Sequence, residues 1–249
     1  MATANDIIKT MLAMQNEQQR QVLCRFFKTA KGEYGEGDKF LGLKVPQTRS
    51  VVRSVHGNVM VEEIAKLLAS EWHKVRLCGF LLLVDEMKVA LPTKRKNGNP
   101  DKRQAIADFY LHHARRANNW DLVDLSSPYI LGLHLLHPMA NGEMPDRSIL
   151  DKLALSCNLW EQRIAIVSTL PLIRNQQYTE TLRIATILLP HPHDLIHKAV
   201  GWMLREVGKQ NIDELRNYLS NHISEMPRTT LRYAIERMNE NERKEWLKK

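Results

Sequence analysis

Cysteine is scarce in this chain of 249 residues. There are three, Cys24, Cys78 and Cys157, far apart and with no CxxC pair. An odd, sparse set excludes a disulfide framework and a zinc knuckle, and points to a reducing compartment. Long apolar runs are missing too. Nothing reaches the roughly 18 apolar residues that a membrane-spanning helix needs. The opening MATANDIIKTMLAMQNEQQR has no basic stretch followed by a long apolar one, so no secretory leader is expected and the cytoplasm is the default location. Sustained period-two alternation is absent, as is an Asn-Gly hairpin between apolar strands, which argues against sheets. The glycine-rich break Gly32–Gly42 lacks the GxGxxG spacing and the terminal GK[ST] of phosphate-binding loops. HExxH and GxSxG are missing. His191-Pro192-His193 resembles a metal pair, but the proline disrupts a helical arrangement and no third ligand is evident. Neither a metal nor a nucleotide cofactor is expected.

What is present is apolar substance and positive charge. Apolar residues make up 43% of the chain, enough to bury a sizeable core. Lys and Arg number 36 against 28 Asp and Glu, a net charge of +8. That surplus suits a polyanionic partner, most often nucleic acid, as well as it suits a merely basic protein.

Apolar periodicity predicts helices almost throughout. Ile7, Ile8, Met11, Leu12, Val22, Leu23, Phe26 and Phe27 predict one amphipathic helix over 5–29. In FLGLKVPQTRSVVRSV, Pro46 suits a first turn, and Lys44, Arg49 and Arg53 form a basic edge. From residue 59 the helices come in pairs. Second members begin alike: Arg76 before LCGFLLLV, Arg163 before IAIVSTL, Lys198 before AVGWML, Arg232 before YAIERM. The last three follow one another at intervals of 35 and 34 residues. Two helices per period of about 34–47 residues define HEAT-like or tetratricopeptide-like arrays, and the tetratricopeptide signature is absent. The expected fold is all-α: a superhelical solenoid of HEAT-like repeats forming a single domain over 1–249, with N-terminal helices to residue 58 and repeats over about 59–240. Repeated cations on its inner helices would either track a phosphate backbone or bond neighbouring carbonyls and hold the repeats together.

The stretch NNWDLVDLSSPYILG, residues 118–132, is the most pointed feature. Asn118 or Asn119 can cap a helix, Asp121 suits its first turn, and Pro128 forbids an undisturbed run onward. Trp120 and Asp124 are four apart, so they share a helix face. In KAVGWMLRE, Trp202 and Arg205 likewise share a face. Each tryptophan alone reads equally as core, and Asp124 alone as a solvated or capping acid.

FLGLKVP, NNWDLVD, WEQRIAI and KAVGWMLRE, in that order, resemble the AlkD-like DNA alkylation repair family. The resemblance is clearest over residues 40–240. It implies a DNA glycosylase of HEAT-like repeats that excises N3- and N7-alkylated purines from double-stranded DNA, without a cofactor. Trp120 and Trp202 match the family's two tryptophans, Asp124 its acid, and Arg163 its DNA-holding arginine. The N-terminal aromatic of the family would be Phe26 or Tyr34.

The chemistry is coherent with one acid. Glycosidases commonly use two carboxyl groups, one of them to protonate the leaving group. An alkylated purine already carries positive charge and leaves without protonation, so a single carboxylate can stabilise the sugar cation or orient water. The expected cleft comprises Trp120, Asp124 and Trp202, with Arg163, Arg205, Lys44, Arg49, Arg76 and Lys198 on DNA. Expected consequences are little action on neutral uracil and DNA affinity that falls steeply with salt. No lysine lies in these motifs, so no lyase step is expected. A monomer suffices. The alternatives are a non-catalytic module binding damaged or branched DNA, and a protein-binding scaffold.

Overall fold

In the computed structural model, which describes residues 1–248, helices are the only extended regular elements; two isolated bridges link Lys39 with Trp72 and Thr93 with Lys96. The chain divides into two compact units, Met1–Ser126 and Ser127–Lys249. The all-α expectation holds.

The first unit contains α1 (Ala4–Ala13), α2 (Glu17–Phe26), α3 (Val45–Ser54), α4 (Val61–Ala69), α5 (His73–Ala90), α6 (Pro100–His112) and α7 (Trp120–Asp124). Its axis is α5, whose Val75, Leu77, Cys78, Phe80, Leu81, Leu82, Leu83, Val84 and Met87 are all buried. A helix that is apolar on every side must be enclosed, and α3, α4 and α6 pack around it. Burial pushes the Cys78 thiol up to about 12, leaving it a small inert hydrophobe.

One expectation is corrected here. The single helix over 5–29 is two helices, α1 and α2, although their apolar positions keep one rhythm. Asn16 breaks it: its side chain accepts from the Gln19 amide at 2.8 Å, and its own amide donates to the Leu41 carbonyl at 2.9 Å. An Asn that caps a new helix outcompetes continuation of the old one. Gly42 makes the crossing feasible, since its φ is +76° and a Cβ there would lie 1.9 Å from the Asn16 carbonyl oxygen.

The second unit contains α8 (Leu131–Leu136), α9 (Ile149–Ala154), α10 (Leu159–Val167), α11 (Leu170–Arg174), α12 (Thr179–Leu188), α13 (Asp194–Gln210), α14 (Ile212–His222), α15 (Arg228–Ala234) and α16 (Glu240–Lys248). α9 packs on α10 and α12 on α13, as expected of consecutive pairs, whereas α14 and α15 both pack on α13. Of the repeated cations, Arg76 and Lys198 fall early in α5 and α13, Arg163 at the middle of α10 and Arg232 in the last turn of α15. His193 proves to be the cap of α13, its Nδ1 accepting from the Leu195 amide.

The α13–α15 contact depends on Gly201. A Cβ there would lie 2.6 Å from the Thr230 carbonyl oxygen and 2.5 Å from the Tyr233 Cβ. Gly201→Ala must therefore push the two helices apart. We expect a loss of about 1–3 kcal/mol, the usual range for overpacking, read as a lower midpoint in urea; an unchanged midpoint would refute the close packing.

A candidate active site around Trp120

Helix α7 has only five residues, too short to hold itself. Three local devices define it. Asn119 accepts from the Trp120 amide at 2.8 Å. Ser126 closes the other end, its hydroxyl donating to the Leu122 carbonyl at 2.5 Å and meeting the Tyr110 hydroxyl at 3.1 Å. The third device is Asp121, which is buried rather than a simple first-turn charge.

Asp121 belongs to a chain of five buried ionisable side chains. Its Oδ2 accepts from Lys74 Nζ at 2.8 Å, and its Oδ1 lies 2.9 Å from His73 Nε2. The opposite ring nitrogen, His73 Nδ1, is 2.6 Å from Asp38 Oδ2. Asp38 Oδ1 in turn accepts from Arg76 Nη2 at 2.6 Å. The order is Lys74, Asp121, His73, Asp38, Arg76, with bases alternating with acids and every carboxylate oxygen used. Burial alone raises both carboxyls. The hydrogen bonds and charge of His73, reinforced by Lys74 at Asp121 and by Arg76 at Asp38, outweigh it and hold both below the ordinary carboxylate range.

The sign of the pH effect follows. A depressed carboxyl contributes stability that is complete above its unfolded value, about 4, and is lost as pH falls through the lower folded value. Thermal stability should decline progressively as pH falls below about 4, with Asp38→Asn showing a weaker decline. Melting curves between pH 7 and pH 2 test this.

Aromatic rings run beside the ions. The Trp120 ring stacks on Phe27 at 5.3 Å and 23°, Phe27 on Phe40 at 5.0 Å and 20°, and Phe40 on His73 at 4.4 Å and 22°. Lys74 Nζ lies 5.2 Å from the centroid of Phe27. Such contacts are worth about 0.5–1.5 kcal/mol each beyond area burial. The outer members of the stack, Phe27 and Trp120, line with Phe26 a cavity of about 380 Å³. Leu23 and Leu43 add apolar wall, and Asp124 and Lys44 are charged residues of its lining. Trp120 and Asp124 therefore meet in one pocket, as their spacing predicted.

Phe26 ends α2, is 61% exposed, and stands edge-on to Trp120 with centroids 5.8 Å apart. Between the two N-terminal aromatics the pocket holds Phe26; Tyr34 instead donates through its hydroxyl to the Phe26 carbonyl at 3.5 Å. Lysine is also present where the motifs had none, because Lys74 lies in the pocket wall.

The expected DNA contacts divide by exposure. Lys44 and Arg49, at the start and middle of α3, are exposed. Arg76 is 3% exposed and, besides Asp38, donates through Nη1 to the Ser70 and Glu71 carbonyls at 3.0 Å. Both terminal nitrogens of its guanidinium are bound inside the fold, which corrects its placement on phosphate. Arg163 is 5% exposed and donates to the Leu195 carbonyl at 2.6 Å, joining α10 to α13. Lys198, Trp202 and Arg205 are half-buried along one face of α13, at spacings of four and three. Lys198 pairs with Asp194 at 2.7 Å, and Arg205 pairs with Glu236.

His73, Lys74, Asp38 and Asp121 were not legible as a set. The available signal was HKVR at the head of a helix apolar all round, since charges enclosed there require acids.

An all-α protein of helix pairs, carrying an aromatic pocket in which Asp121 is tied to Lys74 and Asp124 joins Trp120 in the lining, is the class that fold and site define. The chain belongs to the DNA alkylation repair enzyme family, whose model matches residues 7–238. No curated protein matches the sequence. Among solved structures, a chain described as a predicted DNA alkylation repair enzyme from Enterococcus faecalis is similar in fold, with a TM-score of 0.63 and 14% identity over 91% of this chain and 97% of that one.

Proposed function

We propose that the protein is a monofunctional DNA glycosylase that releases cationic N3- and N7-alkylated purines, 3-methyladenine and 7-methylguanine among them, from double-stranded DNA as the first step of base excision repair. The observation that carries this reading is the meeting of Trp120 and Asp124 in one aromatic pocket, in a member of a DNA alkylation repair family.

The roles follow from charge. Asp124 is the catalytic carboxylate, set against the positive charge that builds on the deoxyribose as the glycosidic bond breaks. Trp120 and Phe26 offer π-faces to the same cation and exclude water; each such contact supplies about 0.5–2 kcal/mol. Lys44 and Arg49 hold phosphate beside the pocket. Lys198, Trp202 and Arg205 present the DNA-binding face of α13, and the Glu236 partner of Arg205 yields to phosphate on binding. Arg163 braces α13 through the Leu195 carbonyl and holds DNA through that helix. Selectivity rests on lesion charge, so neutral uracil stays in place.

Lys74 does not make the enzyme a lyase. A lyase lysine attacks the sugar C1′ as a neutral amine, whereas the Lys74 ammonium is buried and bound to Asp121. The test is incubation of the protein with methylated duplex, followed by chromatography of released bases and, separately, borohydride treatment. Released 3-methyladenine or 7-methylguanine with no covalent protein–DNA adduct is the expected result. Duplex binding without base release would favour the non-catalytic DNA-binding module instead. A trapped adduct would refute the monofunctional assignment.

A further inference from the structure

We infer that His73 is the positioning residue of the Trp120–Asp124 pocket, a doubly protonated imidazole that ties the glycine-rich segment before Phe40 to α7 by donating to Asp38 on one side and Asp121 on the other. The inference rests on the proposed function only for its effect on catalysis; its structural part stands alone.

The geometry singles out this residue. His73 is completely buried, and its two ring nitrogens lie 2.6 Å from Asp38 and 2.9 Å from Asp121. Both carboxylates are ionised, and a carboxylate only accepts, so each ring nitrogen must donate. The ring is also flat against Phe40 and tilted against Phe27 at 5.1 Å. Its own amide donates to the Lys39 carbonyl at 2.8 Å, fixing the start of α5 beside the segment that carries Asp38. No other side chain meets these demands together. Lysine and arginine cannot place donors at opposite ends of a stacked ring, and glutamine donates from one end only.

The consequence reaches the pocket through α7. Asp121 is the second residue of that five-residue helix and Asp124 the last, so whatever holds Asp121 sets where Asp124 points. The other wall is set from the same ring, since Phe27 touches both His73 and Trp120. Lys74 and Arg76 each hold one carboxylate of the chain; His73 alone holds both. A misplacement of about 1 Å in a catalytic group costs about 100-fold in rate.

The experiment is cavity rescue. His73→Ala removes the bridge and leaves space for a small ring. Nitrogen-15 labelled tryptophan reports the pocket through the Trp120 indole N–H, assigned with Trp120→Phe. In the wild-type protein the His73 ring should show two N–H protons. In His73→Ala the Trp120 signal should shift, imidazole should return it, and 1-methylimidazole, which has one donor when charged, should not. Single-turnover release from methylated duplex should fall about 100-fold and follow the same rescue pattern, with duplex affinity unchanged. If His73→Ala does not fold, His73→Gln keeps most of the volume and one donor, and should show the same shift of Trp120 and loss of turnover. Equal rescue by both rings, or an unmoved Trp120 signal in the folded variant, would overturn the inference. A wild-type protein that releases no base but shows the predicted Trp120 pattern would refute the proposed function and leave the positioning role intact.

Discussion

Replacing Asp124 by Asn should lower single-turnover release of 7-methylguanine about 1000-fold while leaving affinity for undamaged duplex unchanged or slightly raised. The substitution keeps shape and removes charge. A carboxylate about 4 Å from the sugar cation, at an effective dielectric of about 20, is worth about 4 kcal/mol. That interaction is absent from the ground state of the sugar, so it lowers the barrier rather than the Michaelis constant, and about 4 kcal/mol is about a thousandfold. A purine that is already cationic leaves without a proton, so no second acid can compensate. Binding should persist because removing a negative group from beside Lys44 does nothing to weaken phosphate contacts. Rapid-quench release and duplex binding, measured on the same preparations, separate the two effects. A loss below about tenfold would remove Asp124 from the chemistry.

The second large effect is on folding. Asp121→Ala should lower stability by about 3–5 kcal/mol, because it leaves the Lys74 ammonium and one face of His73 buried without their acid. For a chain of this size that is a fall of roughly 10 °C in Tm. Removing the stranded charge as well should reverse much of it: Lys74→Met combined with Asp121→Ala should melt higher than Asp121→Ala alone. The reason is that desolvation of an uncompensated charge, not loss of attraction, dominates the single variant. Melting curves of the two single variants and the double variant decide it, and simple additivity would rule out the coupled chain.

Much of the fold was legible because helical periodicity is local. The apolar face of α13 and the position of Lys198, Trp202 and Arg205 on one side follow from spacing alone. The division of α1 from α2 was hidden because Asn16 interrupts the backbone without interrupting the rhythm of apolar residues. In the site, the shared face of Trp120 and Asp124 was legible for the same local reason. The ion chain was not, since His73 finds its partners 35 and 48 residues away and no spacing rule reaches that far. Arg76 shows the converse failure. Its repeat position is visible in the sequence, but whether a cation heading an inner helix meets solvent or the Ser70 and Glu71 carbonyls depends on packing. Phe26 and Phe27 shared one expected apolar face; α2 ends there, and one ring is buried while its neighbour stands exposed at the pocket.

The alternating ions also constrain how this chain can change by descent. Each acid answers two cations, so a single replacement at position 38 or 121 strands a buried charge, whereas a paired replacement need not. Drift through one substitution at a time is therefore blocked at positions 38, 73, 74, 76 and 121. Lineages should inherit these positions as a block or exchange them together, even where the exposed helices around them have diverged beyond recognition.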